Sequence, residues 1–300
     1  MELPFEVPKS LFPVEHRFIE LNGARIHYVD EGKGDTLLLL HGNPSWSFLY
    51  RKMIPPLRNE FRCVAPDYPG YGMSSAPPGY GFTPPEHSAV LEKFVDKLGI
   101  KDLTMMVQDW GGPVGLGLAG RRPELVKRLV IGNTFAWPLN ESFRVQMFSR
   151  MAGGPVGRAL TLAFNFTPKL FFKRGLAQKI SPEVLALYLA PWKDRGRRKP
   201  ATIAPRQLIK AAPYLREVES NLHKIADRPA LIVWGTADFA FGEAERTRFE
   251  SIFKDHETIL FEKASHFLQE DEGERIAEAI RAFSKKHPIA QSSPARGNGR

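Results

Sequence analysis

An apolar run from Leu103 to Val107 leads into Gln108-Asp109, and Trp110, Gly111, Gly112 and Pro113 follow. A strand that delivers one side chain into a sharp, glycine-bearing turn before a helix has the shape of a nucleophile elbow, whose usual form is Gly-x-Ser-x-Gly. Here the five positions are Val107, Gln108, Asp109, Trp110 and Gly111, so the group raised above the sheet edge is a carboxylate. A carboxylate placed there can attack an electrophilic carbon and form an ester. An aspartate between strand and helix also serves as an N-cap, so the weight of the reading rests on its companions.

Three further segments carry polar side chains at expected strand ends, where open α/β sheets bind their ligands. They are His41-Gly42-Asn43-Pro44, Gly235-Thr236-Ala237-Asp238 and Ala264-Ser265-His266-Phe267. Taken singly, Asn43 reads as a turn former, Asp238 as a turn aspartate and His266 as a core histidine. Taken together, Asp109, Asp238 and His266 follow one another as nucleophile, acid and histidine.

The elements that must position these residues alternate. Residues 16–21 and 24–29 read as strands around Asn22-Gly23, a strong hairpin signal. Asp35 to Leu40 is a continuous apolar run suited to a central parallel strand. Phe61 to Ala65, the elbow strand, Arg128 to Asn133, Ala230 to Gly235 and Thr258 to Phe261 complete eight strands, and Glu86 to Leu98 has helical spacing. The pattern predicts a mostly parallel eight-stranded sheet with helices on both faces. After the sixth strand the alternation stops. Residues 135–215 are rich in Phe and hold helix-like segments at Glu141–Met151, Pro182–Leu189 and Pro205–Ala212, so they are expected to form a helical cap over a pocket. The core is then 1–134 and 216–287, and 288–300 is expected to be a disordered tail.

The bulk properties exclude several classes. The apolar runs are too short to span a bilayer, and the start has neither a basic nor an apolar signal region, so no membrane partner and a cytoplasmic setting are expected. The single cysteine, Cys63, sits in a strand and reads as a small buried residue. The net charge of +9 is mostly dispersed. Its densest group, Lys193 to Lys199, reads as a solvated basic loop with no interleaved aromatics, so no nucleic-acid partner is expected. The eight histidines show no metal-ligand spacing and no dinucleotide fingerprint is present, so no metal and no cofactor beyond water is inferred.

With these residues in view, the chain over about 10–287 resembles the haloalkane dehalogenases of the α/β-hydrolase superfamily. The resemblance rests on His41-Gly42-Asn43-Pro44, on Val107 to Gly112, on Asp238 and on His266; the pair Asn43 plus Trp110 is its specific part. It implies an α/β-hydrolase fold and hydrolysis of a small halogenated alkane by water to alcohol, halide and proton. Asp109 would be the nucleophile, His266 the general base and Asp238 its acid partner. The side chains of Asn43 and Trp110 would bind the halide, and their backbone N–H groups would form the oxyanion hole. Many dehalogenases carry their acid as Glu after the strand that follows the elbow helix; here that position is Asn133, so the acid role falls to Asp238. That combination is similar to the third dehalogenase subfamily and implies a tendency to form homo-oligomers. Phe135, Trp137, Phe143, Phe164, Phe172 and Leu268 are candidate pocket walls. The rival enzyme is an epoxide hydrolase, which would need Tyr188 or Tyr214 as a proton donor; the non-enzyme rival is a hydrolase-fold ligand receptor.

Overall fold

The computed structural model describes residues 3–289. The tail expected over 288–300 lies outside the described residues from residue 290 onward.

Eight strands form one sheet: β1 (Arg17–Leu21), β2 (Ala24–Glu31), β3 (Asp35–Leu40), β4 (Phe61–Pro66), β5 (Leu103–Asp109), β6 (Val126–Thr134), β7 (Ala230–Gly235) and β8 (His256–Phe261). Their spatial order is β1-β2-β4-β3-β5-β6-β7-β8. The hairpin predicted at Asn22-Gly23 is formed, with both residues at positive φ. β2 pairs antiparallel with β1 and β4, and every pair from β4 onward is parallel. This is the fold class the alternation predicted.

Side chains alternate across the strands, and both faces are covered. On one face Leu38, Leu40, Met105 and Val107 pack with Leu91 and Phe94 of α2 (Pro84–Lys97), Val114 of α3 (Gly111–Arg121) and Phe249 of α10 (Glu243–Ile252). On the other, Leu37, Leu39 and Met106 pack with Ile54 of the one-turn α1 (Ile54–Leu57) and with Ile276 and Ile280 of α11 (Leu268–Lys286). The continuous apolar runs that predicted central strands have this cause: neither face meets water.

Six helices lie between β6 and β7: α4 (Phe143–Gly153), α5 (Pro155–Phe164), α6 (Phe166–Arg174), α7 (Pro182–Leu189), α8 (Lys199–Lys210) and α9 (Ala212–Asn221). Three were expected. The segment expected to start at Pro205 is the middle of α8, which carries that proline inside it. The basic stretch 193–199 is exposed at Lys193, Arg195 and Lys199, as expected of a solvated loop, but not at Arg197 and Arg198. It folds into a short 3-10 helix, and Arg198 is buried, donating to the carbonyls of Leu162 and Ala163 at the end of α5 and of Trp192 and Lys193. Arg197 donates to the Gly72 and Ser74 carbonyls. These two side chains clamp elements together, which a solvated loop would not require.

Candidate active site

β5 lies between β3 and β6, so its end is flanked by the ends of both neighbours. Asp109 closes β5 with φ of +49°, a conformation rare for a residue with a side chain. The strain lifts the carboxylate out of the sheet, as an elbow must. Thr134 Oγ1 donates to the Asp109 carbonyl at 2.6 Å and fixes the turn from the neighbouring strand. Gly111 opens α3 where a Cβ would run into the Leu40 carbonyl, and Gly42 lies where a Cβ would run into the Asp109 carboxylate.

The Asp109 carboxylate is buried, and its two oxygens differ. Oδ1 accepts the backbone N–H of Asn43 at 2.6 Å. Oδ2 lies 3.6 Å from His266 Nε2. Burial pushes the carboxyl above the usual carboxylate range; the His266 charge and the Trp110 and Asn43 backbone N–H groups pull the other way. His266 Nδ1 donates to Asp238 Oδ2 at 3.1 Å, and both side chains are fully buried. Burial alone would lower this imidazole. The Asp238 carboxylate, by charge and hydrogen bond, and the Asp109 charge outweigh it, so His266 is held above its ordinary value. The neutral tautomer follows: the proton is on Nδ1 and Nε2 faces the Asp109 carboxylate.

Asn133 supports this arrangement from β6. The β5–β6 register slips where Asp109 meets Thr134, so Asn133 bulges out with φ of +33°. Its Nδ2 then donates to Asp238 Oδ2 at 2.9 Å and to the Gly235 carbonyl, and its Oδ1 accepts from the Gly235 N–H. Gln108 Nε2 donates to the His266 carbonyl at 2.9 Å. His266 itself is not at a strand end. β8 stops at Phe261, and His266 lies in the turn that enters α11. Asp238 likewise stands three residues past β7.

Asn43 and Trp110 line one cavity, together with Tyr71, His87, Val114 and Gln207. Tyr71 donates its hydroxyl to Asn43 Oδ1 at 3.3 Å, which turns the Asn43 amide N–H away from Tyr71. Trp110 Nε1 has no protein partner among the described residues, and the ring packs edge-on against Phe135. His266 is surrounded by the rings of Phe171, Phe239, Phe241 and Phe267, all within 6.1 Å between ring centres. The sequence reading missed the roles of Tyr71, Gln108, Phe171, Phe239 and Phe241 here. Gln108 was legible as the residue before the elbow; the others carry no local signal.

Among the expected pocket walls, Phe135, Trp137, Phe172 and Leu268 are buried. Phe143 and Phe164 are 75% and 67% exposed, so they wall no pocket. The amphipathic helices α4 and α5 turn them outward. The two tyrosines of the epoxide reading are committed elsewhere: Tyr188 donates to Glu270 at 2.7 Å and Tyr214 to the Pro113 carbonyl at 2.9 Å. Cys63 is buried and its thiol is pushed up to about 12, chiefly by desolvation, so it supplies no thiolate at neutral pH. No cluster of metal-ligating side chains occurs among the described residues.

The fold recurs among known proteins. Residues 35–273 match the family model described as alpha/beta hydrolase fold. The chain is 40% identical to haloalkane dehalogenase 2 of Mycobacterium tuberculosis, over 93% of this chain and 98% of that protein. It is 31% identical to a cis-3-alkyl-4-alkyloxetan-2-one decarboxylase of Shewanella oneidensis, over 91% and 89% of the two chains. Its structure superposes on a crystal structure of a haloalkane dehalogenase from Bradyrhizobium elkani with a TM-score of 0.82 at 26% identity, covering 91% of this chain and 99% of that one. The family model spans most of the chain, and the identity to a haloalkane dehalogenase runs over nearly the full length of both proteins: the chain belongs to the α/β-hydrolase family and, within it, to the haloalkane dehalogenases.

Proposed function

We propose that the protein hydrolyses carbon–halogen bonds of small halogenated alkanes through an ester on Asp109. The observation that carries this is the unequal setting of the Asp109 oxygens, one on the Asn43 backbone N–H and one toward His266, with Asn43 and Trp110 together lining a neighbouring cavity. Oδ2 attacks the carbon and the halide leaves with the bonding electrons. A halide has no proton to accept, so its departure needs N–H donors aimed at the developing charge. The side chains of Asn43 and Trp110 are that pair.

Water then adds to the ester carbon of Asp109. His266 Nε2 takes the water proton and Asp238 stabilises the imidazolium; collapse then breaks the Cγ–Oδ2 bond, and the alcohol leaves carrying Oδ2 and the proton returned by the imidazolium. Charge developing on Oδ1 falls where the Asn43 backbone N–H already points, with the Trp110 N–H as second donor. With Asn at position 133, Asp238 is the acid of the triad, and Asn133 holds it in place. The helices of residues 135–215 act as the cap; Phe171, on α6, keeps bulk water from the imidazole.

Bromide release from 1-bromobutane and 1,2-dibromoethane tests the reading. Wild type is expected to release bromide and Asp109→Ala to release none. A folded wild type that leaves both substrates intact would overturn it. The 31–33% identity to two oxetanone decarboxylases favours a second reading, decarboxylation of a cis-3,4-dialkyl oxetan-2-one at the same residues. Carbon dioxide release from such a lactone, measured beside bromide release, separates the two.

A further inference from the structure

The outer surface of α4 and α5 carries two apolar rows. Phe143, Met147 and Met151 recur every fourth residue along α4 and are exposed; Val156, Leu160 and Phe164 do the same along α5. Both helices pack against α8, so both rows face away from it into solvent. Large apolar side chains gathered in adjacent exposed rows mark a contact surface.

The charge around these rows has one sign. No Asp or Glu occurs between Glu141 and Glu183. Within that stretch Arg144, Arg150 and Arg158 are exposed, and so are Lys169, Lys173 and Arg174 of α6. None of the six is in an ion pair among the described residues.

We propose that this face docks on an anionic phospholipid surface, with the apolar rows entering the boundary between headgroups and acyl chains and the six cations against lipid phosphates. Interfacial helices combine an apolar face with flanking Lys and Arg, and polybasic segments are drawn to anionic leaflets. A second copy fits poorly, because a two-fold contact sets the same patch against itself and brings the six cations opposite six others. A fluid bilayer requires only apolar depth and positive charge, and the face supplies both. The contact is peripheral: among the described residues no helix is long and apolar enough to cross a membrane.

The docked face also leads inward. Phe148 of α4 meets Phe171 of α6 with ring centres 5.8 Å apart, and Phe171 meets His266 at 6.1 Å. Resting on the function proposed above, docking would let apolar halogenated substrates dissolved in the bilayer reach the cap without crossing water.

Flotation of the full chain with vesicles tests the docking. The expected result is co-flotation with phosphatidylcholine vesicles that contain phosphatidylglycerol, none with phosphatidylcholine alone, and loss in high salt. Val156→Ser with Phe164→Ser should weaken binding about tenfold or more, and Arg150→Glu with Arg158→Glu should do so as well. All four positions are exposed, so both variants should still release bromide from dissolved 1,2-dibromoethane; that assay reports on the site separately from docking. Failure of wild type to float with the anionic vesicles would overturn the proposal. So would flotation indifferent to both variants. Conversion of a wild-type oligomer to monomer by Val156→Ser with Phe164→Ser, seen by light scattering, would assign the face to a second copy instead. Equally tight capture by polyglutamate would assign it to an acidic protein.

Discussion

Asp109 Oδ1 accepts the Asn43 N–H at 2.6 Å while Oδ2 faces His266 Nε2 across 3.6 Å, so the proposed ester formation and ester hydrolysis would draw on different neighbours. Attack by Oδ2 needs no proton transfer; hydrolysis needs the imidazole as base. In His266→Phe, halide release should therefore stop after one equivalent per site. Intact-protein mass spectrometry should find the alkyl group on Asp109, and sustained turnover would refute the assignment. A pH consequence follows from the charges. The Asp109 carboxylate is one of the groups that hold His266 up, and esterification removes it. The acid limb of kcat should then fall at lower pH than the imidazole titration of the free enzyme followed by NMR; coincidence of the two would place the base elsewhere. Tyr71 acts one step further out. Its hydroxyl holds Asn43 Oδ1 and so aims the amide N–H. Tyr71→Phe should weaken bromide binding, read by quenching of tryptophan fluorescence, by about fivefold, the worth of one ordinary hydrogen bond. Unchanged quenching would mean that Asn43 is oriented without it.

At the level of elements, Arg198 joins the end of α5 to the segment before α8 through four backbone carbonyls. A guanidinium at a helix C-terminus satisfies carbonyls that have no partner within the helix and complements the dipole. Arg198→Ala should cost about 2–3 kcal/mol in denaturant unfolding, and amide exchange should rise first in α4 and α5. Uniform exchange would mean that the clamp is not local. Arg198 also explains what the sequence concealed. Read in a run of basic residues it resembles a solvated loop, because its partners are carbonyls of residues up to 36 positions away. The strands were legible because Leu37 to Leu40 and Met105 to Val107 are apolar throughout, the signature of burial on both faces. The order Asp109, Asp238, His266 was legible because Asp109 ends a strand and Asp238 stands three residues past one, while His266 lies farther on, in the turn that enters α11. The helices between β6 and β7 were legible in part: α7 spans the expected Pro182–Leu189 and α4 most of the expected Glu141–Met151, while α5, α6 and most of α9 went unread. α8 carries Pro205 inside it, and α4 and α5 turn Phe143 and Phe164 to solvent, against the rule that large apolar residues face a core.

Over the whole molecule, stability is set partly by imidazoles folded away uncharged. Burial is the leading cause that takes His87 from 6.5 to about 3 and His16 to about 4, and it lowers His41 as well. A group whose folded pKa lies below its unfolded one is protonated first in the unfolded chain. Its stabilisation is complete above 6.5 and is lost as pH falls toward the folded value. His266 has the opposite sign: its contribution is complete below 6.5 and declines as pH rises through its elevated value. Asp109 and Asp271, raised mainly by burial, take up protons first in the folded state and offset part of the acid loss. Asp67 is held below 3.8, so its contribution survives until stronger acid. Tm should therefore peak near neutral pH and begin to fall below about 6.5, where ordinary carboxylates are still ionised. His87→Gln isolates one part of that slope, since glutamine can still meet the Tyr80 hydroxyl that His87 Nδ1 contacts at 3.2 Å. Between pH 6 and 4 its unfolding free energy should fall less steeply than wild type by up to about 1.4 kcal/mol per pH unit, the slope of one proton. Parallel slopes would mean that His87 is protonated as readily in the fold as in the unfolded chain, and the acid sensitivity would then have to come from His16 and His41.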